Sequence, residues 1–234
     1  MTMNSPESLL ELHRLASSSS PGIKGVSNQP LYAAELMREV GLKCIGFNGV
    51  PRTINTLGAF FSSLPAALQT SLKQRQPRRH LSPKNIEATL ERGDKLWESI
   101  YHPFSEKLSA KLAQSHPDLP VHIIEAEYGC LFSDPPSSKD PERPDVGRVL
   151  TSIVAVACLR TQTGVGPQVV SHVFGLRKAF EDGTAEGEDV VEGGKWLAGN
   201  EGSLWLLEQV DRIVEALGEG RGTSFAPGFE KAKL

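Results

Sequence analysis

The chain has 234 residues, of which 39% are hydrophobic and 23% charged, as is ordinary for a soluble globular protein. Its formal net charge of −3 gives no electrostatic reason to expect a nucleic-acid partner. The three cysteines lie far apart in the sequence, and their odd number argues against a disulfide framework.

The first predicted element is an N-terminal helical arm within residues 1–28. Ser5 can cap a helix, Pro6 suits its first turn, and Glu7 faces the positive end of the helix dipole. The leucines that follow recur at helical spacing: Leu9, Leu12 and Leu15. This apolar stripe predicts that the arm packs on the body of the protein or on another subunit.

Two further helices are predicted on either side of a Gly-Pro turn. Residues 31–45 place apolar side chains near one helical face, and Pro51 can begin a second helix that runs to about Leu68. Asn55 lies among apolar residues of that second helix, which predicts a buried amide. The lysines and arginines of residues 73–84 are interpreted as a solvated loop, because no aromatic residues for base stacking lie among them.

The middle of the chain is predicted to be helical up to a proline-rich loop. Apolar residues recur at helical spacing between positions 86 and 112. Residues 121–132 alternate imperfectly, so helix and strand compete, and the surrounding pattern favours a helix. Glu127 belongs to an acid cluster beside this apolar run and is a candidate site residue, with a surface or subunit-contact role as the alternative. Four prolines make residues 133–145 a loop, interpreted as a flap over the helices that follow.

The densest apolar run of the chain, residues 153–159, predicts a buried helix that ends in a glycine-containing turn. Pro167 suits the first turn of the helix that follows. The apolar residues of this second helix lie at i, i+4, i+7 and i+11: Val169, Val173, Leu176 and Phe180. His172 lies one turn from two of them, so its side chain is predicted to face inward. A helix–turn–helix with an inward histidine is a candidate site.

This stretch resembles the repeat of the carboxymuconolactone decarboxylase and alkylhydroperoxidase D-like (AhpD-like) superfamily. In that family an apolar helix leads through a short turn into a helix with a Cys-x-x-Cys-x-x-x-His motif, and His172 falls on the histidine. Residues 38–61 resemble the family's helix–G-x-P–helix segment, which indicates an internal repeat of helix pairs. The resemblance implies an all-α fold, with one AhpD-like helical domain of packed helix pairs over residues 29–218.

The residues that carry redox chemistry in that family are missing from this chain. Val165 and Gln168 occupy the two cysteine positions, and the family's glutamate falls near Ile153. The resemblance therefore implies a protein without dithiol peroxidase activity, since that activity needs a reactive thiolate and a resolving partner. Cys44 and Cys158 lie in apolar helical contexts, which predicts that they fill the core.

The sequence leaves two functions open. In the first, the protein is a non-redox enzyme on a small organic acid or lactone, with His172 as general acid or base. Gln168, Thr161 and Arg160 are the polar neighbours expected around it, and Glu127 is the second candidate site residue. In the second, His172 is a core histidine bonded to a backbone carbonyl, and the protein is a non-catalytic oligomeric scaffold or ligand-binding module. No cofactor and no metal ion is expected from the motifs present.

The C-terminal part is predicted to hold one more helix, over residues 203–217, and a tail over residues 219–234. The tail carries Ala232-Lys233-Leu234, which resembles the peroxisomal address that an import receptor reads. This tripeptide predicts a peroxisomal location, with the cytoplasm or the mitochondrion as the alternative. Because the apolar stripes exceed the needs of one small bundle, a homo-oligomer is expected, without a membrane or nucleic-acid partner.

Overall fold

The computed structural model describes residues 1–18, 23, 25–185 and 191–218, and every regular element within them is a helix. The all-α prediction is therefore confirmed. The elements in chain order are α1 Pro6–Ser17, α2 Gln29–Lys43, α3 Ile45–Asn48, α4 Val50–Ser63, α5 Ala66–Lys73, α6 Ile86–Tyr101, α7 Ser105–Ser115, α8 Asp118–Val121, a π-helix His122–Phe132, α9 Gly147–Arg160, α10 Gly166–Glu181, α11 Gly194–Leu197 and α12 Asn200–Gly218.

Two further expectations concern a membrane-spanning helix and the C-terminal tripeptide. No helix among the described residues has the length and apolar character needed to cross a membrane. The predicted peroxisomal tripeptide, residues 232–234, lies outside the described residues, so the predicted location stays a prediction.

The N-terminal helices pack around one core. Asn28 caps α2, since its side chain accepts a hydrogen bond from the backbone N–H of Leu31 at 3.1 Å. The buried residues of this core come from α2 and from the segment of α4 and α5: Leu31, Ala34, Phe60, Leu64, Leu68 and Leu72. Helix α1 lies against α2 and α4 and contributes Leu9 and Leu10, so the predicted arm packs on the body of the protein.

The long helix predicted to run to residue 68 is in fact two helices. Helix α4 ends at Ser63, and Leu64 adopts an extended conformation with ψ 153°. Pro65 causes the break, because a proline disfavours the helical conformation of the residue before it. Asn55 is exposed, so the prediction of a buried amide is wrong. The buried face of α4 is formed by other residues: Thr53, Thr56 and Phe60.

Helix α6 and the π-helix approach each other closely. A Cβ atom on Gly93 would lie 2.6 Å from the backbone nitrogen of Gly129, so this contact requires glycine at position 93. The π-helix ends where the amide of Ser133 donates to the carbonyl oxygen of Tyr128, five residues earlier, at 2.9 Å. The prediction of a helix over a strand is confirmed. The wider turn explains why residues 121–132 match neither the α-helical nor the strand period.

Helices α9 and α10 form a helical hairpin that packs on α12. Gly164 has φ 78° in the connecting turn, a conformation that favours glycine, and Pro167 stands in the first turn of α10. The helix–turn–helix predicted from the sequence is therefore confirmed. Its core is formed by apolar residues of α9, α10, α12 and the segment before α12: Val149, Val156, Leu176, Ala198 and Leu206.

Most of the basic segment 73–84 is a loop between α5 and α6, as predicted, but three of its arginines pair with acids and are not solvated. Three ion pairs connect it to α2 and to the loop of residues 133–145: Arg75–Glu35 (2.6 Å), Arg79–Glu39 (2.8 Å) and Arg78–Asp145 (2.5 Å). The loop was predicted to cover the helix pair that follows it. It binds the basic segment and α2 instead, because its carboxylates pair with those cations.

The side chain of Lys43, at the end of α2, is fully buried. Its ammonium group lies 2.9 Å from a carboxylate oxygen of Asp134 and donates to the carbonyl oxygen of Phe132. Burial lowers the pKa of Lys43, and the neighbouring Asp134 opposes that shift. Asp134 therefore compensates a charge that would otherwise be isolated in the interior, and it holds the loop against α2.

Candidate functional site

His172 lies on the buried face of α10, with 8% of its surface exposed. Val169 and Leu176, the neighbours predicted for it, are buried on the same helix. The ring of Phe47, from α3, meets the imidazole edge-on, with 6.1 Å between ring centres. The prediction of an inward histidine is confirmed, and its role in catalysis stays a prediction.

Two tyrosine hydroxyls form a row with His172 at the contact between α10, α6 and the π-helix. The Tyr101 hydroxyl lies 3.5 Å from Nε2 of His172. The Tyr128 hydroxyl donates to the Tyr101 oxygen at 3.1 Å. Burial raises the pKa of both tyrosines, so both stay protonated near neutral pH. The three side chains form a row of groups that can each donate and accept a proton.

Arg148 supplies a buried positive charge near this row. It lies in the first turn of α9, and its guanidinium donates to the hydroxyls of Ser99 and Ser152, at 2.8 and 2.5 Å. It also donates to the carbonyl oxygen of Gly175 at 2.7 Å. Burial, and then the charge of Arg148, lower the pKa of His172 to about 4. The imidazole is therefore neutral at pH 7.

The second ring nitrogen of His172, Nδ1, is buried and has no hydrogen-bond partner within the described part of the chain. A neutral imidazole has one N–H donor and one acceptor nitrogen. A buried polar atom without a partner costs about 1–3 kcal/mol. His172 lines none of the clefts at α1, beside the basic segment and around Cys130. Among the described residues the ring bonds to a tyrosine hydroxyl instead of the backbone carbonyl expected for a core histidine.

The polar neighbours predicted for His172 on α9, α10 and their turn lie elsewhere. Gln168 is exposed in the first turn of α10. Arg160 binds the carboxylate of Asp211, on α12, through two hydrogen bonds of 2.8 and 2.7 Å. Thr161 donates its hydroxyl to the backbone of its own helix at 2.7 Å. The tertiary packing therefore gives these three residues other partners.

Glu127, the second candidate, does not join His172 in the described contacts. One carboxylate oxygen lies 3.7 Å from Nε2 of His122. The other is buried beside Gly46, without a hydrogen-bond partner among the described residues. Its neighbour Tyr128 does reach the site, so this segment contributes a phenol to the row and not an acid.

Two of the three cysteines touch. Cys44, just after α2, and Cys158, near the end of α9, have sulfur atoms 3.6 Å apart, although 114 residues separate them. Both are buried, as predicted, and they lie close together in the fold although they are far apart in the sequence. Val165 and Gln168, at the family's cysteine positions, lie before and in the first turn of α10 and carry no thiol.

A polar cleft of about 520 Å³ lies between α2 and the basic segment. Its lining carries five arginines and His80 against two glutamates: Arg38, Arg75, Arg78, Arg79 and Arg143, with Glu35 and Glu39. Arg143 donates to the carbonyl oxygen of Gln76, and no carboxylate of the described residues lies within ion-pair distance of it. Burial and the charge of Arg78 lower the pKa of Arg143. This lining suits a small anion.

Sequence reasoning did not single out Tyr101 or Arg148. A usable signal existed for Arg148, because a charged residue directly before a dense apolar run must be exposed or satisfied by buried acceptors. For Tyr101 no signal was present, since its contact with His172 depends on how α6 packs on α10.

Comparison of the chain with protein-family models, curated proteins and solved structures returned no match in any of the three.

Proposed function

We propose that this chain is a divergent AhpD-like protein that acts as a non-redox enzyme on a small organic acid or lactone, with His172 as the group that transfers a proton. The observation that carries the proposal is the contact of His172 Nε2 with the Tyr101 hydroxyl, beside an unpaired Nδ1. Together with Tyr128, these groups can pass a proton to or from a bound molecule.

The electrostatics of the site favour a ligand that carries a carboxylate. Burial and the charge of Arg148 hold the pKa of His172 at about 4, which is low for a general acid or base. A carboxylate bound near His172 would favour the imidazolium form and raise the pKa of His172. Substrate binding would thus bring the imidazole closer to the range in which proton transfer is efficient.

Local geometry supports the AhpD-like part of the proposal. Both segments that resemble the family's repeat contain a glycine with positive φ, Gly49 (79°) and Gly164 (78°). In each, a proline follows within the first turn of the next helix, Pro51 in α4 and Pro167 in α10. A glycine with positive φ therefore precedes both α4 and α10, and a proline stands in the first turn of each, with the glycine directly before α4 and one residue further from α10.

Exposed apolar side chains support a homo-oligomer. Leu12 and Leu15 of α1 are 54% and 51% exposed. Val170 and Phe174, one turn apart on α10, are 53% and 56% exposed. Paired apolar residues on the outer faces of two helices are typical of surfaces that a second subunit covers.

The second candidate function is a non-catalytic ligand-binding module, and the arginine-lined cleft favours it. The cleft has a volume suited to a small ligand, and Arg143 is the one arginine of its lining without an ion pair among the described residues. His172 is not among the lining residues. A protein that binds an organic anion there would need no proton transfer by His172.

One experiment separates the two functions. The wild-type protein and the His172→Gln variant are incubated with a mixture of small organic acids and lactones, and mass spectrometry follows their consumption. The enzyme proposal predicts turnover that His172→Gln abolishes and that Gln168→Ala, at an exposed position, retains. Absence of turnover, together with calorimetric binding of a dicarboxylate that Arg143→Gln removes, would establish the binding module instead.

A further inference from the structure

We propose that Cys44 and Cys158 are a site of oxidative modification, where the two thiols join in an intramolecular disulfide between the end of α2 and α9. The proposed acid–base function does not use these thiols, and the modification is a single oxidation of a buried pair, distinct from the catalytic peroxide turnover that the missing Cys-x-x-Cys motif argues against. Their sulfur atoms lie 3.6 Å apart. A disulfide bond is about 2.05 Å long, so closure needs the sulfur atoms to approach by only about 1.5 Å.

The surroundings give the two sulfur atoms different roles. Hydrogen bonds from Cys44, Thr2 and Asn48 lower the pKa of the Cys158 thiol to about 7, although burial opposes the shift. The amide of Asn48 lies 3.8 Å from the Cys158 sulfur. The hydrogen bond to Cys158, and burial, raise the pKa of Cys44. Because the Asn48 amide approaches the sulfur of Cys158, we assign Cys158 as the thiolate of the pair and Cys44 as the thiol that resolves it.

Access restricts the oxidant to a small molecule. Cys44 and Cys158 are 2% and 5% exposed, so a protein disulfide cannot reach them in the folded state. Small peroxides are the class of oxidant that fits this restriction, and hydrogen peroxide represents them. Cys130 is half-buried in the lining of a separate cavity of about 140 Å³ and serves as an internal control.

The oxidation balances with one peroxide. The Cys158 thiolate attacks one peroxide oxygen, the O–O bond breaks, and the departing hydroxide takes up the proton that Cys158 lost on ionisation. This step leaves a sulfenic acid on Cys158 and one water. The Cys44 sulfur then attacks the Cys158 sulfur, the S–O bond breaks, and the departing hydroxide takes the Cys44 proton as a second water. The two thiols lose two electrons, and the peroxide gains them.

The test maps the disulfide in the full chain. The protein is treated with hydrogen peroxide, denatured, alkylated and digested without reductant, and its peptides are identified by mass spectrometry. We expect the Cys44 peptide to be linked to the Cys158 peptide, with Cys130 alkylated, and dithiothreitol to reverse the link. We also expect a higher melting temperature for the oxidised protein, since the link closes a loop between residues 114 apart.

Two outcomes would overturn the proposal. One is full alkylation of both Cys44 and Cys158 after oxidation, and the other is a link that contains Cys130. The Cys130→Ser variant should form the same link as the wild-type protein, and Cys158→Ser should form none. Because a core variant can fail to fold, the intact mass of the oxidised wild-type protein is the second measurement. It should fall by two hydrogen atoms without a gain of oxygen, and a gain of oxygen alone would show a sulfenic or sulfinic acid and overturn the link.

Discussion

The Tyr101 hydroxyl lies 3.5 Å from Nε2 of His172, across the contact between α6 and α10, although the two residues are 71 apart in the sequence. Tyr101 belongs to the core that α6 forms with the π-helix, and His172 belongs to the α9–α10 hairpin. The position of the imidazole is therefore set by two helical units that meet at this contact. Any change in their packing moves the hydroxyl relative to the ring.

We expect acid to destabilise the protein through His172. The pKa of His172 is about 4 in the folded protein, against an ordinary value of 6.5. Between these values the unfolded chain binds a proton that the folded chain does not, so the free energy of unfolding falls as the pH is lowered from 6.5 to 4. The full effect is about 3 kcal/mol.

Urea unfolding at a series of pH values checks this expectation. The His172→Gln variant should lose less stability than the wild-type protein over the same window, because glutamine does not titrate. Equal losses in the two proteins would show that other groups cause the acid sensitivity.

Removal of the Asp134 charge should destabilise the protein strongly. The Asp134→Asn substitution keeps the shape of the side chain but leaves the fully buried Lys43 without its anionic partner. We expect a loss of about 3 kcal/mol in the free energy of unfolding. The matched control is Asp211→Asn, which breaks the exposed pair with Arg160 and should cost less than about 1 kcal/mol. Similar losses at both positions would show that burial of the ion pair does not determine its contribution to stability.

A methyl group at position 93 should force α6 away from the π-helix. The Cβ of a Gly93→Ala variant would lie 2.6 Å from backbone atoms of Gly129, which cannot move independently. We expect a loss of about 1–3 kcal/mol, measured by chemical denaturation. The control is Gly58→Ala on the exposed face of α4, where a Cβ meets no atom within 4 Å. That substitution should be neutral or stabilise by about 0.5–1 kcal/mol, because alanine favours a helix.

The protein should associate with itself in solution at micromolar concentration. Light scattering coupled to size exclusion gives the mass of the wild-type assembly. If the α1 stripe forms the contact, the double substitution Leu12→Glu and Leu15→Glu should reduce that mass to a monomer, since charges would enter an apolar interface. Phe174→Glu tests the exposed face of α10 in the same way. A monomeric wild-type protein would disprove the expectation.

The sequence by itself determined the local structure of the chain. The two glycines and the single proline of the 161–167 turn placed the ends of α9 and α10, and the period of Val169, Leu176 and their neighbours placed His172 inside. These signals are local, because helical periodicity and turn conformation depend on residues within a few positions of each other. The all-α class followed from the same patterns together with the family resemblance. The apolar pattern was less reliable for α4, because Asn55 was predicted to be buried and lies on the exposed face of that helix.

Only the tertiary structure decided which polar groups meet. The partners of Arg75 and Arg79 in α2 are each 40 residues away, so two cations that the sequence predicts to be solvated are paired in the fold. Tyr101 and His172 are 71 residues apart, and Cys44 and Cys158 are 114 apart. No local pattern encodes such contacts, because they depend on which helix faces pack together and at what distance. Periodicity and the family resemblance therefore predicted an all-helical chain, whereas the candidate site and the thiol pair came from packing.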